Sequence, residues 1–176
     1  GGVDSAVLLW KMCENYPDEE IACVFVDYGQ PAWLPEAQAT QTLVDIARER
    51  FGERVELHKS KVRLDVVEMR TGAGTPGPRI VPSRNLVLLA IAANLTTPAS
   101  IAFGATAEDR EYPDCSRQFA INASVALGIT VQVPLVLMTR ETILEEAKRL
   151  DVPLRWCWSC YEPDRSDGIA FPAKPC

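Results

Sequence analysis

The sequence predicts an α/β fold in which a parallel sheet is covered by helices on both faces, giving three layers. Three observations predict it. Strand-length apolar runs alternate with segments of helical spacing along most of the chain, the pattern of repeated βαβ units. The run from Ile21 to Val26 is apolar without interruption, as a strand buried on both faces must be. Gly1, Gly2, Val3, Asp4 and Ser5 form a small-residue turn leading straight into a helix, and in such folds ligands sit beyond the carboxyl ends of the strands, where these turns lie.

The elements follow in order. Ala6, Val7, Leu8, Leu9, Trp10 and Met12 supply the apolar surface of the first helix, and Asp4 and Ser5 are residue types that suit its start. The strand over 21–26 ends in Asp27, Tyr28, Gly29 and Gln30. Residues 35–51 carry helical spacing through Ala39, Leu43, Ile46, Ala47 and Phe51, and 54–59 reads as a second strand. Gly72, Gly74, Pro76, Gly77 and Pro78 make 64–80 a long flexible segment of the kind that closes over a site. A buried helix over 82–95, with a proline near its first turn, precedes a strand over 100–103 that stops at Gly104. A polar loop, a helix over 115–127, a strand over 129–133 and a helix over 139–150 complete the pattern.

With 176 residues, 47% of them apolar and 24% charged, the chain can bury one sizeable core. It has no apolar run of membrane-spanning length, and cytoplasmic is the default location. The net charge of −6 disfavours stable nucleic-acid binding, with only Arg79 and Arg84 marking a local basic cleft. Six cysteines are scattered at 13, 23, 115, 157, 160 and 176; Cys13 and Cys23 fall in apolar patterns and read as small core hydrophobes. His58, the single histidine, lies in a strand and reads as structural.

The motifs that carry chemistry begin with the opening turn. Two glycines let the backbone approach phosphate oxygens, and the free N–H groups at the helix start point at the anion. No Gly-Lys-Ser/Thr follows at Walker A spacing. Gly-Gly-x-Asp-Ser instead resembles the PP-loop of N-type ATP pyrophosphatases. Arg84 and Asn85, after Val81, Pro82 and Ser83, offer a fork for planar anions at a strand-to-helix junction, or equally a helix cap beside a surface arginine. Residues 104–115, ending in Tyr112, Pro113, Asp114 and Cys115, form an acidic turn that composition alone assigns only to a loop.

Taken in order, the opening turn, Tyr28-Gly29-Gln30, Val81-Pro82-x-Arg84-Asn85, Tyr112 to Cys115, Pro134-Leu135 and Trp158 to Tyr161 resemble the 7-cyano-7-deazaguanine synthase family, which makes the queuosine precursor preQ0. The resemblance spans the whole chain. It implies a fold of the adenine-nucleotide alpha-hydrolase-like (PP-loop ATPase) type over 1–155, with a central strand ahead of Gly1. It also implies a cysteine-rich tail starting at 156–176, in which Cys160 and Cys176 are the first two of four thiolate ligands to a structural Zn²⁺, the others lying beyond Cys176. Cys157 and Cys160 also form a Cys-x-x-Cys pair with redox or metal readings, although the family pattern needs only Cys160.

The activity implied is ATP-dependent conversion of 7-carboxy-7-deazaguanine and ammonia into a nitrile. Gly1, Gly2, Val3, Asp4 and Ser5 would bind ATP, with Asp4 helping to hold Mg²⁺; Asp4, Ser5, Arg84 and Arg140 would be catalytic. Tyr28, Gln30, Arg84, Asn85, Asp109, Tyr112 and Asp114 would bind the substrate, the two acids matching adjacent donors of a guanine-like base. A homodimer is left open. Three departures bear on the acceptor: Pro31-Ala32 stand where the family carries Arg and His, Arg140 stands where it carries lysine, and the loop between Gly104 and Tyr112 is slightly short. Two competing readings remain. One is a PP-loop ligase or sulfur transferase acting on another acceptor, such as a tRNA base or an amide-forming deazaguanine relative; the other is a nucleotide-binding or conjugating module of a phage or defence system.

Overall fold

Helix α1 (Val3–Asn15) organises the fold of the computed structural model, which describes residues 1–65, 67–70 and 76–158. Ala6 to Trp10 are five successive buried residues. At about 100° per residue they go right around the helix, so its middle is enclosed on every side. Asp4 and Ser5 at one end and Glu14 and Asn15 at the other are exposed.

Strand β1 (Ile21–Asp27) runs parallel to β2 (Val55–Lys61), with Ile21 opposite Val55 and Asp27 opposite Lys61. Helix α2 (Trp33–Phe51) makes the crossover, beginning two residues ahead of the span expected from spacing. One side chain secures both ends of this unit. The Arg54 guanidinium donates to the carbonyls of Cys13, Tyr16, Glu19 and Phe51, satisfying orphan acceptors where α1 and α2 stop.

The segment expected to be irregular carries two strands instead. β3 (Val67–Arg70) pairs antiparallel with β4 (Pro76–Ile80), with a register shift between Glu68 and Arg70. Prolines argue against a central strand, but each strand of a two-stranded ribbon is an edge and tolerates them. Helix α3 (Arg84–Thr96) then starts two residues after the proline expected in its first turn. β5 (Ser100–Ala102) and β6 (Thr130–Gln132) are parallel, joined through α4 (Arg117–Leu127). Ser116 caps α4, accepting from the Phe119 N–H, and so moves its start beyond Cys115. Helix α5 (Arg140–Arg149) is capped by Thr139.

Among the described residues the strands thus form two parallel pairs and a hairpin, with no ladder joining β1–β2 to β5–β6. The fold is α/β with parallel strands. The single continuous sheet of the sequence reading is not what the described ladders show, and the strand expected ahead of Gly1 lies outside the described residues. What both pairs share is α1: Ile21, Cys23 and Leu57 of the first pair and Ala102 of the second pack against the cluster built on α1, Leu43, Val44, Leu135 and Ile143. Trp156 and Cys157 pack there too. A smaller cluster joins Leu89, Ala120, Ala123 and Val131, with Phe103 edge-on to Phe119 at 5.9 Å. Cys13 is buried and Cys23 packs on the main core, in line with their apolar patterns. His58 sits mid-strand in β2, 3.4 Å from the Glu56 carboxylate.

Charges hold α5 on α1. Glu146 of α5 accepts from Lys11 at 2.6 Å and from Arg149 at 2.8 Å, and Arg149 reaches back to Glu14 at 2.6 Å. Hydrogen bonds from Arg149 and Lys11 hold the Glu146 carboxyl at about 2, below its ordinary value of 4.5. Because the folded state depresses this pKa, the contribution is complete above about pH 4.5 and is lost as the pH falls towards 2. Glu146→Gln is expected to cost about 1 kcal/mol at pH 7 after solvent screening. In urea titrations across pH, the gap between variant and parent should close below pH 3; a pH-independent gap would reject this account.

Candidate functional site

The start of α1 is open. Gly2, at φ −75° and ψ 170°, caps the helix without any side-chain hydrogen bond. The first intrahelical bond is Ala6 N–H to the Gly2 carbonyl at 3.0 Å, so the N–H groups of Val3, Asp4 and Ser5 precede the helical ladder at its positive end. The two glycines differ in what they do. A Cβ on Gly1 would come within 2.6 Å of the Glu36 carbonyl oxygen and 2.9 Å of the Ala39 Cβ, whereas one on Gly2 would meet only the Trp158 carbonyl oxygen at 3.5 Å. Gly1 is small because α2 is there; the Gly2 position alone keeps the approach to the turn free. Gly104, absent from the sequence-derived site, brings the end of β5 against the same turn, with its Cβ position 3.6–3.7 Å from the backbone of Asp4 and Ser5. Its signal is a glycine closing a strand run.

Asp4, Asp109 and Arg140 are brought together here. The Asp4 carboxyl, though exposed at its tip, is raised above the usual carboxylate range by the protein packed around its base and then by the Asp109 charge, against the pull of Arg140. Asp109 is fixed by a capping box: its Oδ2 accepts from the Thr106 N–H at 2.8 Å and the Thr106 hydroxyl at 2.9 Å. Arg140 opens α5, and its backbone N–H donates to Glu108 Oε1 at 3.3 Å. The Ala107 N–H bonds the Met138 carbonyl at 3.0 Å, tying the acidic turn to the start of α5.

A second group forms at the start of α3. Ser83 precedes Arg84 in the left-handed region, at φ 53°, and does not cap the helix with its own side chain. Asp114 does so from 29 residues away: its Oδ2 accepts the Asn85 N–H at 3.1 Å. The Asn85 amide returns the link, donating to the Asp114 carbonyl at 2.9 Å and to the Cys115 sulfur at 3.3 Å. Burial, then Asp114 and Asp109, push the Cys115 thiol up to about 11, which leaves it protonated near neutrality. Asp109 therefore faces both groups. Tyr112, half exposed, sits between them with its N–H on the Asp109 carbonyl at 2.9 Å.

Tyr28 and Gln30 lie past the end of β1, in a turn where Gly29 adopts φ 89°. Gln30 is buried, and its amide bonds protein atoms. Oε1 accepts the Tyr28 N–H at 2.9 Å, and Nε2 donates to Glu36 Oε2 at 2.9 Å and to the Val26 carbonyl at 3.4 Å. Each polar atom of the Gln30 amide thus has a partner within the protein, at a residue the sequence reading placed among the substrate contacts. Glu36 and Thr106 were missed because neither belongs to a recognisable motif; each matters only through a partner that folding supplies.

No group of three or more potential metal ligands occurs among the described residues, and Cys160 and Cys176 lie outside them. Cys157, beside Asp4, has its thiol pushed up to about 11 by burial. That is opposite to the lowered pKa of a reactive Cys-x-x-Cys thiol.

A family model described as "Queuosine biosynthesis protein QueC" matches residues 1–170. Among curated proteins, the 7-cyano-7-deazaguanine synthase of Chlorobium phaeobacteroides (strain DSM 266) is 32% identical, over 93% of this chain and 81% of its own. That of Persephonella marina is 33% identical over 92% and 80%, and that of Campylobacter fetus 32% identical over 92% and 80%.

The glycine contrast is testable by unfolding. Gly1→Ala forces a methyl onto the α2 backbone and is expected to cost about 1–3 kcal/mol. Gly2→Ala should cost under about 1 kcal/mol. Equal losses in urea titrations would contradict the assignment of Gly1 to packing.

Proposed function

Because the chain belongs to the QueC family of queuosine biosynthesis proteins, we propose that it is the carbon–nitrogen ligase converting 7-carboxy-7-deazaguanine, ammonia and ATP into 7-cyano-7-deazaguanine, on a PP-loop ATPase fold. The observation that carries the reading is the uncapped start of α1 with Asp4, Asp109 and Arg140 beside it. Three backbone donors at a helix N-terminus suit a polyphosphate, and Gly2 leaves their approach open. Asp4 suits Mg²⁺, since the neighbouring Asp109 charge that helps raise its carboxyl is one a cation would offset. When bound, Mg²⁺ would offset charge on the leaving pyrophosphate. Cys160 and Cys176, as thiolates, have the chemistry of structural zinc ligands in a tail beginning near 156.

The chemistry asks for two activations. A carboxylate oxygen attacks the α-phosphorus of ATP, pyrophosphate leaves, and ammonia displaces AMP to give the amide. The amide oxygen then attacks the α-phosphorus of a second ATP, a second pyrophosphate leaves, and loss of AMP with the two N–H protons leaves the nitrile. Little of this needs an acid or base of unusual strength; positioning and charge stabilisation supply most of the acceleration. Gly1, Gly2, Val3 and Ser5 hold the phosphates through the backbone, Gly1 by letting the turn seat on α2. Arg140, on the α5 N-terminus, and Arg84 stabilise phosphate or carboxylate charge. Asp109 is fixed through Oδ2 by Thr106, and Asp114 accepts from the Asn85 N–H at Oδ2 and from the Cys115 thiol at Oδ1; we assign both carboxylates to the N–H edge of the base, Asp109 through Oδ1. Asn85 holds Asp114 in place, and Tyr28 and Tyr112 border the acceptor.

The direct test incubates the full-length protein with 7-carboxy-7-deazaguanine, ATP and ammonium and reads the product by mass spectrometry. A nitrile is expected, with AMP and pyrophosphate. Asp4→Ala should lower pyrophosphate release by about 100-fold or more. Unchanged release in that variant, or AMP formed only with a different acceptor, would overturn the reading.

A further inference from the structure

We infer that Gln30 and Glu36 form a positioning couple that sets the distance between the acceptor loop after β1 and the phosphate turn before α1. The inference rests on the proposed function for its kinetic readout and on geometry for its content.

Gln30 is 7% exposed, one of two buried polar residues among those described. Each polar atom of its amide is committed within the protein: Oε1 to the Tyr28 N–H, and Nε2 to the Val26 carbonyl and Glu36 Oε2. An amide is required at this point, because one end must accept from the loop backbone while the other donates to a carboxylate. Glu36 carries the link onward. It lies in the first turn of α2, and its carbonyl oxygen, which accepts the Thr40 hydroxyl at 2.8 Å, is the atom a Cβ on Gly1 would strike at 2.6 Å. A continuous path of contacts therefore runs from Tyr28 through Gln30 and Glu36 to Gly1. Neither residue touches the open start of α1, so they act through Tyr28 and Gly1 and are positioning residues. A misplacement of about 1 Å between reacting groups costs on the order of 100-fold in rate, which gives a couple of this kind its leverage. Pro31 and Ala32 follow directly, and the Trp33 N–H bonds the Gln30 carbonyl at 3.1 Å, so the loop has no other polar side chain between Gln30 and α2 to set its place.

The couple has a reciprocal design that permits a rescue test. Gln30→Glu sets two carboxylates against each other where an amide–carboxylate bond stood. Glu36→Gln keeps a neutral hydrogen bond. Gln30→Glu combined with Glu36→Gln restores the bond between the two positions, because the carboxylate introduced at position 30 can accept from both the Tyr28 N–H and the new amide at position 36; the Val26 carbonyl loses its donor, so recovery is partial. In the full-length protein, kcat is expected to fall about 10- to 100-fold in Gln30→Glu, to stay within about threefold of the parent in Glu36→Gln, and to recover to within about fivefold in the double variant. ATP affinity by calorimetry should move little, because the α1 packing that holds the phosphate turn is untouched, while the urea midpoint should fall in Gln30→Glu, which buries a second carboxylate against Glu36. Hydrogen exchange of residues 27–33 should accelerate in Gln30→Glu and return in the double variant. A Gln30→Glu enzyme within threefold of the parent, a double variant no better than Gln30→Glu, or a loss of ATP affinity that matches the loss of kcat would each overturn the inference. If the parent makes no nitrile, the proposed function fails alone, and the exchange pattern still decides the couple.

Discussion

Everything in this structure depends on α1 being enclosed through its middle and open at its start. Burying Ala6 to Trp10 on all sides fixes the helix axis to the core, and helices α2 and α5 and both parallel strand pairs contribute to the enclosure. Fully burying side chains of this size stabilises by roughly 1.5–3 kcal/mol each, enough to hold an N-terminus in place without a cap. Gly2 is a tolerated N-cap residue that supplies no side-chain acceptor. The backbone donors of the first turn therefore have no capping side chain at that position.

The side chains around that turn are placed by hydrogen bonds that close on backbone groups. Thr106 fixes Asp109, Asp114 caps α3 from a distance, Asn85 returns the bond, and Gln30 ties its loop to α2. Each of these devices uses one end of a polar side chain for position, which limits what the other end can do. Asp109, anchored on Thr106 through Oδ2, keeps Oδ1 as an acceptor in a defined direction, whereas Asp114 has partners at both oxygens. Cys115 is buried and Cys157 half-buried, each near an acid, and both thiols are pushed up to about 11, which makes them poor nucleophiles.

Much of this was legible in the residues. The strand read over 21–26, the helices read over 35–51, 82–95 and 139–150, each within two residues of its observed start, and the motif residues at 1–5, 28–30, 84–85 and 109–115 were readable because periodicity and local residue chemistry act over short distances. The antiparallel pairing of β3 with β4 was not. The glycines and prolines there signal breaks, and only pairing between two edges converts such a segment into strands. Gly1 was legible as a glycine but not for its reason, since the atom that demands it belongs to Glu36 on another element.

The order of residues alone determined the α/β alternation, a helix opening within residues 1–5 and the set of chemical groups near it, because these follow from backbone freedom, hydrophobic period and side-chain type. Tertiary structure decided which carboxylate faces Asp4, which acid caps α3 and whether the Gln30 amide points to a ligand or to the protein. Those outcomes turn on contacts between residues far apart in the chain, where a shift of one ångström separates a hydrogen bond from open space and no local rule carries the information.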